Sequence, residues 1–225
     1  MNCIWCHDVI MVETSWINVF LPPKPNRLCQ ACEAELHTLH GQRCSHCSRI
    51  TVDSVCSDCT WWKQFMNGND VLDKNYSVFA YNDRMQEMIT KWKYRGDYQI
   101  GYVFQTTFQD CFPKIIQTKQ QIVVPIPLSP ERLYERSFNQ AEMLAQFLPI
   151  KSVNALSRIH GEKQSKKTRQ ERISSINPFK LEEPINKPVI LVDDIYTTGA
   201  TLRHAAALLK EHGCPMVYSY TLIRG

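Results

Sequence analysis

Eight of the ten cysteines lie within residues 1–59, and all eight occur as Cys-x-x-Cys: Cys3/Cys6, Cys29/Cys32, Cys44/Cys47 and Cys56/Cys59. Each turn sets two thiolates on one side of a tight loop, and two facing turns make the tetrahedral sulfur set that suits Zn2+. A disulfide framework would need an oxidising compartment. The first basic residue is Lys24, so the charged start of a secretory signal is missing and a cytoplasmic location is expected. A thioredoxin-like redox pair explains one such motif and not four. Sequential pairing gives one site from Cys3, Cys6, Cys29 and Cys32 and a second from Cys44, Cys47, Cys56 and Cys59, a double zinc ribbon. An interleaved cross-brace would join the first pair to the third. The short hop from Cys47 to Cys56 favours the sequential scheme, because the loop closed is small. With eight thiolates available, His7, His37, His40 and His46 read as surface or packing residues. Fully sulfur-ligated sites leave no open position, so two structural Zn2+ ions are expected. Cys111 and Cys214 stand outside the pattern and read as core thiols.

The charge divides with the cysteines. Residues 1–70 hold five basic and seven acidic side chains, net −2, and residues 71–225 hold 21 and 15, net +6. With 44% hydrophobic and 21% charged residues the chain is globular. No stretch approaches the roughly 18 apolar residues of a membrane span. The Asn-, Gly- and Asp-rich stretch 67–75 reads as a linker, dividing a zinc module at 1–66 from a larger domain at 76–225. That domain alternates strand signals at 76–81, 122–126, 189–192 and 217–223 with helical signals at 84–94, around Ile100 to Phe108, at 139–148 and at 200–212. The alternation predicts an α/β fold with a parallel sheet.

The most specific segment is 189–201, VILVDDIYTTGAT. A buried strand ends in Asp193 and Asp194, and a Thr-Thr-Gly-Ala-Thr turn then opens a helix. Ligands of open α/β sheets sit at the carboxyl ends of strands. The turn offers consecutive N–H groups, hydroxyls and a helix N-terminus, which favour a phosphate. The two carboxylates could accept hydrogen bonds from a diol beside it.

This motif resembles that of the phosphoribosyltransferase family, which binds phosphoribosyl pyrophosphate (PRPP). Nearly the whole chain is similar to the ComF/ComFC family of competence-associated proteins, which pair an N-terminal zinc module with a type I phosphoribosyltransferase domain. Further carriers are the Lys-Tyr-Arg-Gly-Asp run at 93–97, Val-Pro-Ile-Pro-Leu at 124–128, Arg-Ser-Phe-Asn-Gln at 136–140, and Arg158, Gln164, Arg172, Asn177 and Phe179. Ser137 stands where the family pattern has glycine. The resemblance implies that Asp193 and Asp194 hold the ribose hydroxyls and that Thr197, Thr198, Gly199, Ala200 and Thr201 cradle the 5′-phosphate. Pro127, Leu128 and Ser129 would face the pyrophosphate, with Arg132 and Arg136 as candidate cations and Mg2+ bridging the ligand's oxygens.

Residues 158–180 carry seven basic and two acidic side chains, net +5. Arg158, Lys163, Gln164, Lys166, Lys167, Arg169 and Arg172 match the mobile active-site loop of the resembled fold. The segment could close over pyrophosphate, meet a nucleic-acid backbone, or simply be a solvated loop. Lys91, Lys93 and Arg95 lie beside Trp92 and Tyr94, an interleaving that suits single-stranded nucleic acid, and Trp61 and Trp62 could add stacking. Two functions stay open. One is a PRPP-binding, single-stranded-DNA-binding factor of natural transformation, working beside a ComFA-like helicase on imported DNA. The other is a transferase moving ribose 5-phosphate from PRPP to an acceptor; no residue stands out as its general base.

Overall fold

The computed structural model describes residues 1–11, 16, 20, 26–94, 96–115, 121–159 and 176–225. It is an α/β fold in which two cysteine knuckle pairs precede a parallel sheet. Helix α1 (Gln30–Ala34) follows Cys29 and helix α2 (Ser57–Phe65) follows Cys56, each cysteine capping its helix from an extended conformation. The sheet order is β1-β6-β5-β2, all parallel, from β1 (Lys74–Ala80), β2 (Ile122–Pro125), β5 (Val189–Tyr196) and β6 (Val217–Arg224). Val189, Ile190, Leu191 and Val192 are fully buried, as expected for a central strand covered on both faces.

Helices α3 (Asp83–Tyr94), α4 (Gln105–Ile115), α6 (Gln140–Gln146) and α7 (Ala200–Glu211) cover that sheet, with a 3-10 turn at Tyr98–Val103 and helix α5 (Pro130–Arg136) between. Met85, Met88, Ile89 and Trp92 form the buried stripe of α3, and they pack with Phe79, Phe104, Phe108 and Tyr220. A second apolar cluster, from Val124, Leu191, Tyr196, Leu202, Ala205 and Leu209, is continuous with Cys44, Cys47, Cys56 and Cys59. A short antiparallel pair, β3 (Leu156–Arg158) with β4 (Phe179–Leu181), brings Arg158 opposite Phe179.

Several boundaries move. The first strand begins at Lys74, inside the stretch read as a linker, because Asp70 and Asp73 there are tied to the domain by Arg203 and Lys210. The helix read around Ile100 to Phe108 is split into the 3-10 turn and α4, with Phe104 between them. The strand read at 189–192 continues through both acids to Tyr196. Helix α5 is additional. Its signal is local: Ser129 caps it, accepting from the Arg132 N–H, and Pro130 fills the first turn.

The amino-terminal module is stitched to the sheet. Thr38 pairs antiparallel with Phe79 of β1, and Leu39 N–H donates to the Val78 carbonyl at 2.8 Å. Asn75 Nδ2 donates to the Cys47 carbonyl at 3.2 Å, and Ser48 Oγ donates to the Asn75 carbonyl at 2.9 Å.

Candidate functional site

The cysteines fall into two groups of four, Cys3, Cys6, Cys29, Cys32 and Cys44, Cys47, Cys56, Cys59, with all sulfurs of a group within 4.8 Å of one another. This is the sequential pairing. A tetrahedron with Zn–S bonds of about 2.3 Å has sulfurs about 3.8 Å apart, and Cys6–Cys29 and Cys47–Cys56 both stand at 3.6 Å. The Cys56 N–H points at the Cys44 sulfur, 3.3 Å away. Four crowded sulfurs cannot share charge evenly. Cys47 is held down to about 4 by the hydrogen bond from Cys59, against burial and helped by the Arg224 guanidinium, while Cys59 is pushed far up. A divalent cation would relieve that competition by stabilising every thiolate together. Both groups could hold zinc ions. Cys214 is a buried thiol that donates to the Lys187 and Met216 carbonyls.

At the carboxyl end of the sheet a cleft of about 250 Å3 opens. Its wall contains Asp193, Asp194, Thr197, Thr198, Gly199, Ala200, Thr201, Pro127, Leu128, Arg132, Arg136, Arg158 and Lys93. Strand β5 delivers the acids, the β5–α7 turn the threonines, α5 two of the arginines and β3 the third. Ser129 is not in this wall; its hydroxyl is used as the α5 cap.

The turn is built around Gly199, which takes a left-handed conformation at φ 77° and caps α7. A β-carbon there would lie 2.3 Å from Tyr196 Oη and 2.4 Å from Arg203 Nη1, so conformation and space both require glycine. Ala200 N–H donates to Thr198 Oγ1 at 3.3 Å. Asp194 N–H donates to Asp193 Oδ1 at 2.9 Å, and Lys93 ion-pairs with Asp194. Burial pushes the Asp193 carboxyl up to about 7; the charge of Asp194 adds to this, and Lys93 and Arg158 oppose it.

In the same wall, no ion pair among the described residues joins Arg132, Arg136 or Arg158 to a carboxylate. Arg136 is buried, donates to Gln140 Oε1 at 3.1 Å and lies over the Tyr94 ring. Arg158 lies over Phe179. Burial lowers its pKa, and the positive charges of Arg132 and Arg136 add to that while Asp193 opposes. Three guanidiniums gathered in a half-buried wall call for an anion.

Of the basic cluster read at 91–95, Lys91 and Lys93 do not share one surface. Residues two apart on a helix face away from each other, so Lys91 turns back over the Trp5 ring at 4.5 Å while Lys93 enters the cleft. Arg95, Lys163, Gln164, Lys166, Lys167, Arg169 and Arg172 lie outside the described residues. Trp62 is buried, and Trp61 stacks on Phe65 at 4.9 Å. Sequence reading gave Trp62 only a packing or stacking role and did not single out Arg203 or Arg224. The partners these three share with the turn are up to 136 residues away, which local pattern cannot reveal.

A parallel sheet ending in an acid pair and a Thr-Thr-Gly turn defines a phosphoribosyltransferase-type domain, and residues 110–225 match the phosphoribosyl transferase domain family. The chain is 40% identical over 226 residues to the competence protein ComFC of Bacillus subtilis (strain 168), covering 99% of this chain and 94% of that one. It is 28% identical to the competence protein ComFC of Streptococcus pneumoniae, covering all of both chains. It is also 25% identical to the DNA utilization protein YhgH of Salmonella typhimurium, covering 88% and 96%. The chain belongs to the ComFC family of competence proteins. No helix among the described residues is long and apolar enough to cross a membrane.

Proposed function

We propose that this protein is a cytoplasmic competence factor that binds PRPP in the cleft and single-stranded DNA beside it, acting on imported DNA with a ComFA-like helicase. The observation that carries the reading is that one cleft wall gathers three arginines, which no carboxylate among the described residues pairs, together with an acid pair and a Thr-Thr-Gly turn. A ligand with a diol between two phosphate-bearing ends satisfies all three at once. Asp193 and Asp194 would accept from the ribose hydroxyls, with Lys93 moving off Asp194. The N–H groups of the turn would take the 5′-phosphate. Arg132, Arg136 and Arg158 would take the pyrophosphate, and Mg2+ bound with the ligand would supply further positive charge against it. Zinc would fill both cysteine centres. The net +5 of residues 158–180 supports contact with a DNA backbone.

The test is binding of labelled single-stranded DNA with and without PRPP across a salt series. Affinity should fall with salt and with charge reversal at Lys163, Lys166, Lys167 and Arg169, and it should change when PRPP is present. DNA binding that is absent or indifferent to salt sinks the DNA half, and failure of PRPP to bind sinks the other. Transfer to an acceptor is the second reading. Its support is the match of residues 110–225 to the phosphoribosyl transferase domain family. Pyrophosphate release lost in Asp193→Asn would support it, and no release with any acceptor tried would count against it.

A further inference from the structure

The peptide planes of the phosphate turn are held from behind. In a trans peptide the carbonyl of one residue points opposite to the N–H of the next. The carbonyls of Tyr196, Thr197 and Thr198 therefore set where the N–H groups of Thr197, Thr198 and Gly199 point. All three accept from outside the turn. Arg224 Nη1 donates to the Tyr196 carbonyl at 3.1 Å and to the Thr197 carbonyl at 3.2 Å. Trp62 Nε1 donates to the Thr198 carbonyl at 2.8 Å. Gly225 N–H donates to the Tyr196 carbonyl at 2.9 Å.

Both side-chain donors are anchored at the second cysteine centre. Trp62 lies one helical turn beyond Cys59 on α2. Its ring lies under the Arg203 guanidinium at 4.3 Å, and Asp70 grips Arg203 at 3.0, 3.2 and 2.6 Å. Arg203 Nη1 in turn donates to Tyr196 Oη at 2.8 Å. Arg224 points Nη2 at the Cys47 sulfur, 3.5 Å away. The first centre faces elsewhere: Cys3 and Cys32 pack with Leu28, Met85 and Met88, and Trp5 meets Arg84 and Lys91.

We propose that the second cysteine centre is the positioning device of the phosphate turn. Trp62 and Arg224 are its positioning residues, and occupancy of that centre is coupled to anion binding at the turn while occupancy of the first is not. This rests on the reading that the turn takes the 5′-phosphate of PRPP. If binding aligns the planes that Trp62 and Arg224 hold, the coupling is reciprocal, and PRPP must tighten the metal at Cys44, Cys47, Cys56 and Cys59.

The experiment uses the full zinc-loaded chain. Zinc release to a chromogenic chelator is followed with and without saturating PRPP and Mg2+, and PRPP affinity is measured by titration calorimetry. One of the two zinc ions should leave more slowly with PRPP present, and the other at an unchanged rate. Trp62→Phe keeps an aromatic ring beside Arg203 and removes the Nε1–H donor along with part of the indole's volume, so it should weaken PRPP by at least the roughly five- to tenfold of one hydrogen bond and abolish most of the protection. Trp5→Phe, at the first centre, should change neither. PRPP binding by the native chain with equal release of both ions, or with unaltered affinity in Trp62→Phe, overturns the coupling and leaves the assignment of the turn intact. No PRPP binding by the native chain overturns the assignment and the coupling with it. If Trp62→Phe does not fold, selective protection of one ion in the native chain decides.

Discussion

Replacing Gly199 with alanine tests the turn at its tightest point. The new methyl group would enter the hydrogen bond between Arg203 Nη1 and Tyr196 Oη, which is 2.8 Å long. Neither side chain can swing away easily. Both are 2% exposed, and Arg203 is held by Asp70 and by the face of Trp62. Two costs follow. Holding a residue with a β-carbon in the left-handed region costs roughly 1–2 kcal/mol. Loss of a buried hydrogen bond to a charged group costs about 1.5–3 kcal/mol. The sum is about 2.5–5 kcal/mol, a large part of a stability that is typically about 5–15 kcal/mol. Urea unfolding of the zinc-loaded chain, followed by tryptophan fluorescence, should show it as a lower midpoint. PRPP affinity should fall by more than about tenfold as the turn shifts. Tyr196→Phe removes the nearest obstacle, so the double variant should lose less than the two single losses added, a coupling that neighbours in one network show. A loss below about 1 kcal/mol for Gly199→Ala, or strict additivity with Tyr196→Phe, would refute this account of the turn.

Ser137 ends α5 at φ 66° where the family pattern has glycine, so Ser137→Gly should raise stability by about 0.5–1 kcal/mol in urea unfolding. Asp193 sits at about 7 in the folded chain against about 4 when unfolded. The folded state keeps a proton that the unfolded state releases, so this contribution is full below about pH 4 and is lost as pH rises to 7. Asp193→Asn should therefore be more stable than the parent at pH 8, by up to about 4 kcal/mol, and lack its decline; equal slopes in melting temperature against pH would contradict this. Elemental analysis should find about two zinc ions per chain, and a chelator strong enough to remove both should lower the melting temperature; a stoichiometry near one would refute two filled centres.

The parts of this architecture that were legible in the sequence are those written in consecutive residues. The apolar run, acid pair and Thr-Thr-Gly turn at 189–201 and the Cys-x-x-Cys spacing each depend on neighbours, and both appear where expected. Helix α5 was missed although Ser129 and Pro130 announce it, because seven residues give little periodicity. The β3–β4 pair has three residues per strand, too few for alternation to register. Lys93 was grouped with Lys91 by proximity along the chain, whereas the helix turns them apart. The apparent linker conceals Asp70, whose importance depends on Arg203, 133 residues later. Such pairings are set by tertiary packing and leave no local trace.

The strip at residues 37–39 that pairs with β1 has a consequence for how the chain can be divided. A terminal strand of a sheet offers unsatisfied backbone donors and acceptors to any passing chain, and proteins hide or disfavour such rims. Here one rim is closed by the cysteine-rich segment and the opposite one, at β2, by Lys151 and Val153, which bond to Val123. A chain shortened to begin after residue 66 would keep every residue of the cleft and lose the cover on β1. Its failure in solution would be self-association through that bared strand, with the cleft residues still present.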